Sequence, residues 1–279
     1  LSAIWRVDFD GDDHRPFITE DGSVSSPRWS PGGERLAYVR SHDGATQLRV
    51  AYADGSTARL ATLPFGPGGI AWSPDGEHIA FTMLAPEKPE SASVDIGLPD
   101  KPRGAEWAET AIVDETILYE FDGVGELPDG RSQVFVISAD GGAPRQLTRF
   151  ESGSLGGLSW TPDGESLLFH LSGTAEDSLD PNETDIYRIA LDGGDPEQLT
   201  DATGAERSPM LSPDGRTLSW VGFENRYTSY HASSLYLAEA DGSEARVLVS
   251  GRDFDIDEAV WDASGRGLWA RYDERGKAH

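Results

Sequence analysis

The chain of 279 residues contains no cysteine. Disulfides, thiolate nucleophiles and zinc–thiolate centres are therefore excluded. Lysine is almost missing: Lys88, Lys101 and Lys277 are the only three, and arginine supplies the other positive charges. Against 23 basic residues stand 49 acidic ones, a formal net charge of -26. Such a surface repels phosphate, which argues against nucleic acid and anionic membranes as partners. High salt screens self-repulsion of this size, so the composition fits a salt-adapted host as well as an acidic protein from a GC-rich genome. No apolar run reaches the ~18 residues of a bilayer-spanning helix. Also absent are a Gly-x-Ser-x-Gly elbow, a Gly-Lys-Ser/Thr phosphate loop and a His-x-x-x-His pair.

Glycine (32) and proline (17) are plentiful, as many short strands joined by tight turns require. They fall into a repeat. Trp29-Ser30-Pro31-Gly32-Gly33, Trp72-Ser73-Pro74-Asp75-Gly76 and Trp160-Thr161-Pro162-Asp163-Gly164 are three copies of one turn. Leu211-Ser212-Pro213-Asp214-Gly215 and Trp261-Asp262-Ala263-Ser264-Gly265 are weaker copies. Successive copies are 43, 88, 51 and 50 residues apart, and three of these offsets match a propeller blade of roughly 40–50 residues. A second marker keeps the same phase: Asp10-Gly11, Asp54-Gly55, Asp140-Gly141, Asp192-Gly193 and Asp241-Gly242.

Each unit reads as four strands. The first ends at the tryptophan, and Ser-Pro-Asp-Gly turns the chain into the second, as in "HIAFT" or "SLLFH". The third, as in "QVFVISA", meets the Asp-Gly turn, and a short fourth ends in "RQLT" or "EQLT". Near alternation of apolar and polar residues favours strand over helix. Isolated four-stranded sheets cannot bury both faces, whereas radially packed ones can, so the fold class is an all-β propeller of antiparallel blades. The regularly spaced tryptophans are expected to pack blade on blade.

The expected layout is one propeller domain over 1–279. It comprises a half-blade at 1–20, blades at about 25–63, 68–150, 155–201 and 206–250, and a half-blade at 257–279. The two halves either complete one blade and close a five-bladed ring, or belong to a larger propeller. Closure would remove open edges; an incomplete ring would draw chains together as a homo-oligomer. The offset of 88 is read as an insertion of about 84–130 between strands two and three of the second blade, with a degenerate extra blade as the alternative. Long irregular connections are usually functional or disordered, which makes this the candidate gate or partner surface. Glu106, Glu109, Glu120 and Arg131 are its charged residues to test first; the plain alternative is a solvated surface role worth about 0–1 kcal/mol.

No residue is assigned as catalytic, cofactor-binding or metal-binding, and no cofactor is expected. The histidines are scattered, and His78 and His170 lie on second strands as packing or surface residues. "DFDGDD", Asp8 to Asp13, fails the EF-hand pattern because Asp13 and Thr19 occupy the positions that need Gly and Glu. "DPNETD", Asp180 to Asp185, is a similarly weak cation loop.

Trp72-Ser73-Pro74-Asp75-Gly76 together with the tails "DGGAPRQLT" and "DGGDPEQLT" resembles the PD40, or TolB-like, propeller repeat. The segment Leu118 to Thr148, "LYEFDGVGELPDGRSQVFVISADGGAPRQLT", is similar to the insertion-bearing blade of acylaminoacyl-peptidase-like members of the prolyl oligopeptidase (S9) family. That resemblance implies a propeller, commonly seven-bladed, that gates short peptides to an α/β-hydrolase domain bearing a Ser-Asp-His triad. This chain departs from it by lacking that domain, so the chain alone is expected to be inactive. The partners implied are the hydrolase domain of the same parent chain and short peptide substrates. The other reading is a stand-alone TolB-like module that binds proteins, and a propeller enzyme such as a glycosidase or lactonase is a third. A cytoplasmic location is expected for the first reading, a periplasmic or exported one for the second.

Overall fold

A computed structural model describes residues 2–86, 104, 120–122, 125–126, 130–172, 182–249, 254–274 and 277–279. Every regular element among them is a strand. A hairpin of β1 (Ile4–Arg6) and β2 (Arg15–Ile18) comes first. The first full blade holds β3 (Ser23–Trp29), β4 (Arg35–His42), β5 (Ala45–Tyr52) and β6 (Thr57–Leu63). The second opens with β7 (Gly68–Trp72) and β8 (His78–Ala85). After the short pair β9 (Glu120–Phe121) and β10 (Gly125–Glu126) it closes with β11 (Arg131–Ser138) and β12 (Arg145–Gln146). The third holds β13 (Leu155–Trp160), β14 (Ser166–Leu171), β15 (Asp185–Ala190) and β16 (Glu197–Gln198). The fourth holds β17 (Gly204–Leu211), β18 (Thr217–Glu224), β19 (Ser234–Glu239) and β20 (Arg246–Val249). A last sheet contains β21 (Ile256–Trp261), β22 (Leu268–Glu274) and β23 (Lys277–Ala278). The chain is thus an all-β propeller of four-stranded antiparallel blades.

The two sequence markers set the register. In each full blade the residue two after the turn glycine pairs with the residue two before the Asp-Gly turn: Arg35↔Tyr52, His78↔Ser138, Ser166↔Ala190 and Thr217↔Glu239. The Ser-Pro-Asp-Gly turn is built around a buried hydroxyl. Ser73 Oγ accepts from the His78 N–H at 2.9 Å and donates to Asp75, whose Oδ1 accepts from the Glu77 N–H at 2.9 Å. Thr161–Asp163 and Ser212–Asp214 repeat the arrangement. These hydrogen bonds, from the side-chain hydroxyl first, hold the Asp75, Asp163 and Asp214 carboxyls below the usual aspartate range. In the last copy the roles exchange, and Ser264 Oγ donates to Asp262.

Strand two is buried on both faces, which explains its continuous apolar run. Phe81 points toward the first blade while Ala80 points toward the third; Leu167 and Phe169 face back while Leu168 faces forward. Fully burying one such large side chain contributes about 1.5–3 kcal/mol. Trp72 and Trp160 pack between blades, as the repeat predicts; Trp29, by contrast, is 49% exposed. Trp72 Nε1 donates to the Arg28 carbonyl at 2.9 Å, and Trp160 Nε1 to the Ala71 carbonyl at 3.1 Å. Both acceptors are the residue just before the matching tryptophan of the preceding blade. Arg35 lies over the Trp72 ring at 5.0 Å and donates to the Gly76 carbonyl, tying adjacent turns together.

Among the described residues the two ends belong to separate sheets. β1–β2 pack through Ile4 and Ile18 on Val24, Leu36 and Tyr38 of the first blade. Ile256 and Ala259 of β21 pack on Val221 and Leu235 of the fourth. Of the two expected arrangements, a shared blade closing a five-bladed ring is not formed among the described residues.

Strand one carries a bulge three residues before its last position. Ser26, Gly69, Gly157 and Ser208 all take positive φ there, between 53° and 64°. Serine is strained in this region and glycine is not. Ser208→Gly is expected to stabilise the chain by roughly 0.5–1 kcal/mol. Gly157→Ala is expected to destabilise it, since a Cβ there would lie 2.5 Å from His170 Nδ1 and 2.9 Å from the Ser208 nitrogen. Ser73→Ala, which strips the buried hydroxyl from its turn, should cost about 1–2 kcal/mol. Urea unfolding of the three variants measures all of these; an unchanged midpoint for Ser73→Ala would refute the role given to the hydroxyl.

Candidate functional site

Antiparallel order places the start of strand one, the end of strand two, the start of strand three and the end of strand four at one end of every blade. The other end holds the short signature turns, three of which leave room for little more than a methyl group against the preceding turn: a Cβ on Gly76 would meet Pro31, one on Gly164 Pro74 and one on Gly265 Pro213, at 3.8, 3.6 and 3.3 Å. The first end carries the long connections. The chain leaves β8 at Ala85 and returns, paired with it, at Arg131. The connections from β14 to β15 and from β18 to β19 lie at the same end.

The β18–β19 connection and the strands around it enclose a cleft of about 640 Å³. Phe223, Tyr236, Val249, Phe254 and Ile256 supply apolar walls, and Arg226, Thr228, Tyr230 and His231 line it from the connection. The connection is fixed by hydrogen bonds. Asn225, buried, accepts from the Tyr227 N–H at 2.9 Å and donates through Nδ2 to Glu183 at 3.1 Å. The Arg226 N–H donates to His231 Nε2 at 2.9 Å, and the His231 ring stacks on Phe223 with centroids 4.7 Å apart. Tyr230 Oη donates to Asp255 Oδ2 at 2.7 Å, and the Ser233 N–H to Asp255 Oδ1 at 2.8 Å. The lining charges cancel, because Arg226 pairs with Glu224 at 3.1 Å.

A second feature lies at the seam of blades three and four. Thr184 and Ala205 form a parallel bridge, and the Glu206 N–H donates to Thr184 Oγ1 at 2.8 Å. The Glu206 side chain is only 5% exposed, and its Oε2 has no hydrogen-bond partner. Burial pushes its carboxyl up from 4.5 to about 7, with Asp185 and Asp201 adding repulsion against a donor bond from Thr200. Asp185 rises from 3.8 to about 6, first by burial and then through Asp201 and Glu183. On β14, burial and the Arg207 charge lower His170 from 6.5 to about 4, so it stays neutral and packs beside the Gly156–Gly157 bulge.

Of the residues singled out in the insertion, Glu106 and Glu109 lie outside the described residues. Glu120 is exposed on β9. Arg131 opens β11, half-buried, with Nη1 donating to the Gly130 carbonyl at 3.2 Å and a buried Nε that finds no partner. Asp13 of the run Asp8 to Asp13 is held by Arg6 and Arg15 at 3.0 and 3.1 Å. "DPNETD" contributes Glu183 and Asp185 to the carboxylate group at the seam. Sequence reasoning missed Glu206 and the cleft. Its one available signal for the cleft was the aromatic-rich connection "NRYTSYH", Asn225 to His231.

No family model matches the chain. An uncharacterized peptidase, YuxL, of Bacillus subtilis is 29% identical over 189 residues, covering 67% of this chain and 27% of that protein. Dipeptidyl-peptidase 5 of Porphyromonas gingivalis is 24% identical over 95% of this chain and 40% of its own length. The chain therefore spans about a quarter to two fifths of these relatives. Among solved structures, acylaminoacyl peptidase from Pyrococcus horikoshii matches 99% of this chain and 41% of its own, at TM-score 0.65 and 18% identity. TolB from Acinetobacter baumannii matches 99% and 55%, at 0.61 and 15%. The β-propeller domain of the trilobed protease from Pyrococcus furiosus matches 99% and 72%, at 0.62 and 14%. The resemblance read from the repeat, to TolB-like propellers of S9 peptidases, is thus met in both kinds of comparison; at these identities the structural likeness is one of fold.

Glu206 generates a pH prediction. Its folded-state value is raised, so the unfolded chain loses this proton first as pH rises. The stability it contributes is full below about 4.5 and is lost as pH climbs through about 7. Glu206→Gln should therefore stabilise the chain more at pH 8 than at pH 5, by on the order of 2–3 kcal/mol. Urea midpoints of both proteins at the two pH values decide it, and an equal effect at each would show that the carboxyl is not held protonated.

Proposed function

We propose that this chain is the non-catalytic propeller of an S9-type serine peptidase, acylaminoacyl-peptidase-like, that gates short peptides to a hydrolase domain of the same parent protein. The carrying observation is the combination of one propeller spanning the chain with peptidase relatives several hundred residues long, of which it matches only 27–40%. The remaining length of those relatives leaves room for a catalytic domain. The sequence itself has no Gly-x-Ser-x-Gly elbow, so the nucleophile must come from elsewhere. In this reading the end of the blades that carries the long connections faces the hydrolase domain. Peptides small and extended enough to pass between these connections reach the nucleophile, and folded proteins do not. Location in the cytoplasm goes with this reading.

The likeness to TolB supports a second reading, a stand-alone propeller that binds proteins through the same connections. Fold alone does not choose between them.

Two measurements do. The purified chain should not turn over acylaminoacyl or dipeptidyl p-nitroanilides, and robust hydrolysis by it would sink the accessory role. The reading frame of the gene should run on past the His279 codon into a segment encoding Gly-x-Ser-x-Gly; a stop codon there would favour the stand-alone reading.

A further inference from the structure

The connection from β18 to β19 is more ordered than a solvent loop needs to be. Tyr227 sits at φ 54°, a conformation unfavourable for an aromatic residue, and its side chain is 78% exposed. Tyr230 is 65% exposed. Neither ring is placed there by burial. Asn225, itself tied to Glu183, holds the strained tyrosine, and Asp255 holds the other. Strain maintained by surrounding hydrogen bonds around exposed groups is characteristic of binding surfaces. Rigid tyrosines give large contact area at low entropic cost.

The cleft beside them supplies the complement. Its walls include Phe223, Tyr236, Phe254 and Ile256, and its volume of about 640 Å³ exceeds a single amino-acid side chain. With Glu224 and Arg226 neutralising each other, it offers no net charge to attract an ionic side chain. One wall is β20, the last strand of its sheet. Val247 and Val249, alternate residues of β20, line the cleft, and its outer edge pairs with no strand among the described residues. An open edge next to an apolar recess suits an extended peptide: the backbone pairs with the strand and a side chain enters the recess.

We infer that this cleft is a binding site for an extended peptide segment, with Phe223, Tyr236, Phe254 and Ile256 receiving an uncharged aromatic or large aliphatic side chain and Tyr230 flanking it. The ligand class rests on the peptide reading above; the site itself does not need a hydrolase domain. It lies at the same end of the blades as the long insertion, where it would select peptides by one side chain before they reach a catalytic centre.

The test is calorimetric titration of the chain with acetyl-Gly-Ala-Xaa-Ala-Gly-amide, Xaa being Phe, Leu, Ala or Asp. The Phe and Leu peptides should bind at least about tenfold more tightly than the Ala and Asp peptides, a difference of about 1.4 kcal/mol. Val249→Trp, which fills the recess, should weaken the Phe peptide by about tenfold or more, and Tyr230→Ala by several-fold. Tyr230 lies outside the core, so this second variant keeps the test usable if the first fails to fold. No saturable binding of the Phe peptide, equal binding of the Ala peptide, or binding unchanged in both variants would overturn the site. Specific binding together with a stop codon after His279 would keep the site and refute the gating role.

Discussion

Everything in this molecule depends on the contact between neighbouring blades. A four-stranded sheet with apolar side chains on both faces has no stable existence alone, because one face would remain in water. The seam resolves this with apolar area and one directional bond. The indole of Trp72 or Trp160 fills the gap and its Nε1 donates to the backbone just ahead of the preceding motif. The bond fixes how far one blade slides along the next. Where the indole is replaced by Leu211, the apolar packing with Leu168 and Leu199 persists without the bond. Where the first seam is missing its inner neighbour, Trp29 is 49% exposed, against 8% for Trp72.

The seam also divides the molecule into two ends with different freedom. At one end the signature turns are short and hydrogen-bonded within themselves, and three of them lie with glycine close to the proline of the preceding turn, so there is little room for insertion. At the other end the strand connections differ in length from blade to blade. A long segment can leave β8 and return to β11 in perfect pairing without disturbing the sheet beneath it. The cleft, the strained tyrosine and the insertion all occur at that end. A buried carboxylate is found there as well: burial raises Glu206 to about 7, and the partly buried Asp185 beside it rises to about 6.

Most of the fold was legible in the sequence. The phase between Ser-Pro-Asp-Gly and Asp-Gly became the strand register itself, as Arg35↔Tyr52 and Thr217↔Glu239 show. The turn chemistry was only half legible: proline and glycine announced a turn, but the hydroxyl of Ser73 as its buried hub did not. The bulge was visible as a glycine pair at Gly68–Gly69 and Gly156–Gly157 and hidden at Ser26 and Ser208. The site was hardly legible. Glu183, Asp185, Asp201 and Glu206 come from different strands and connections, and Phe223, Tyr236 and Phe254 are 13 and 18 residues apart in sequence.

The sequence by itself determined the blade, its four strands, its turns and its repeat, because these arise from residues within a few positions of one another and from a periodic apolar pattern. Tertiary structure alone decided which faces became seams and that the end half-blades stay in separate sheets. It also decided that one connection closes a cleft and that Glu206 is buried next to Asp185. Those outcomes depend on distances between residues far apart in the chain, and burial, which sets both the proton affinity of a carboxylate and the depth of a cleft, is a property of the packed blades and not of any local segment.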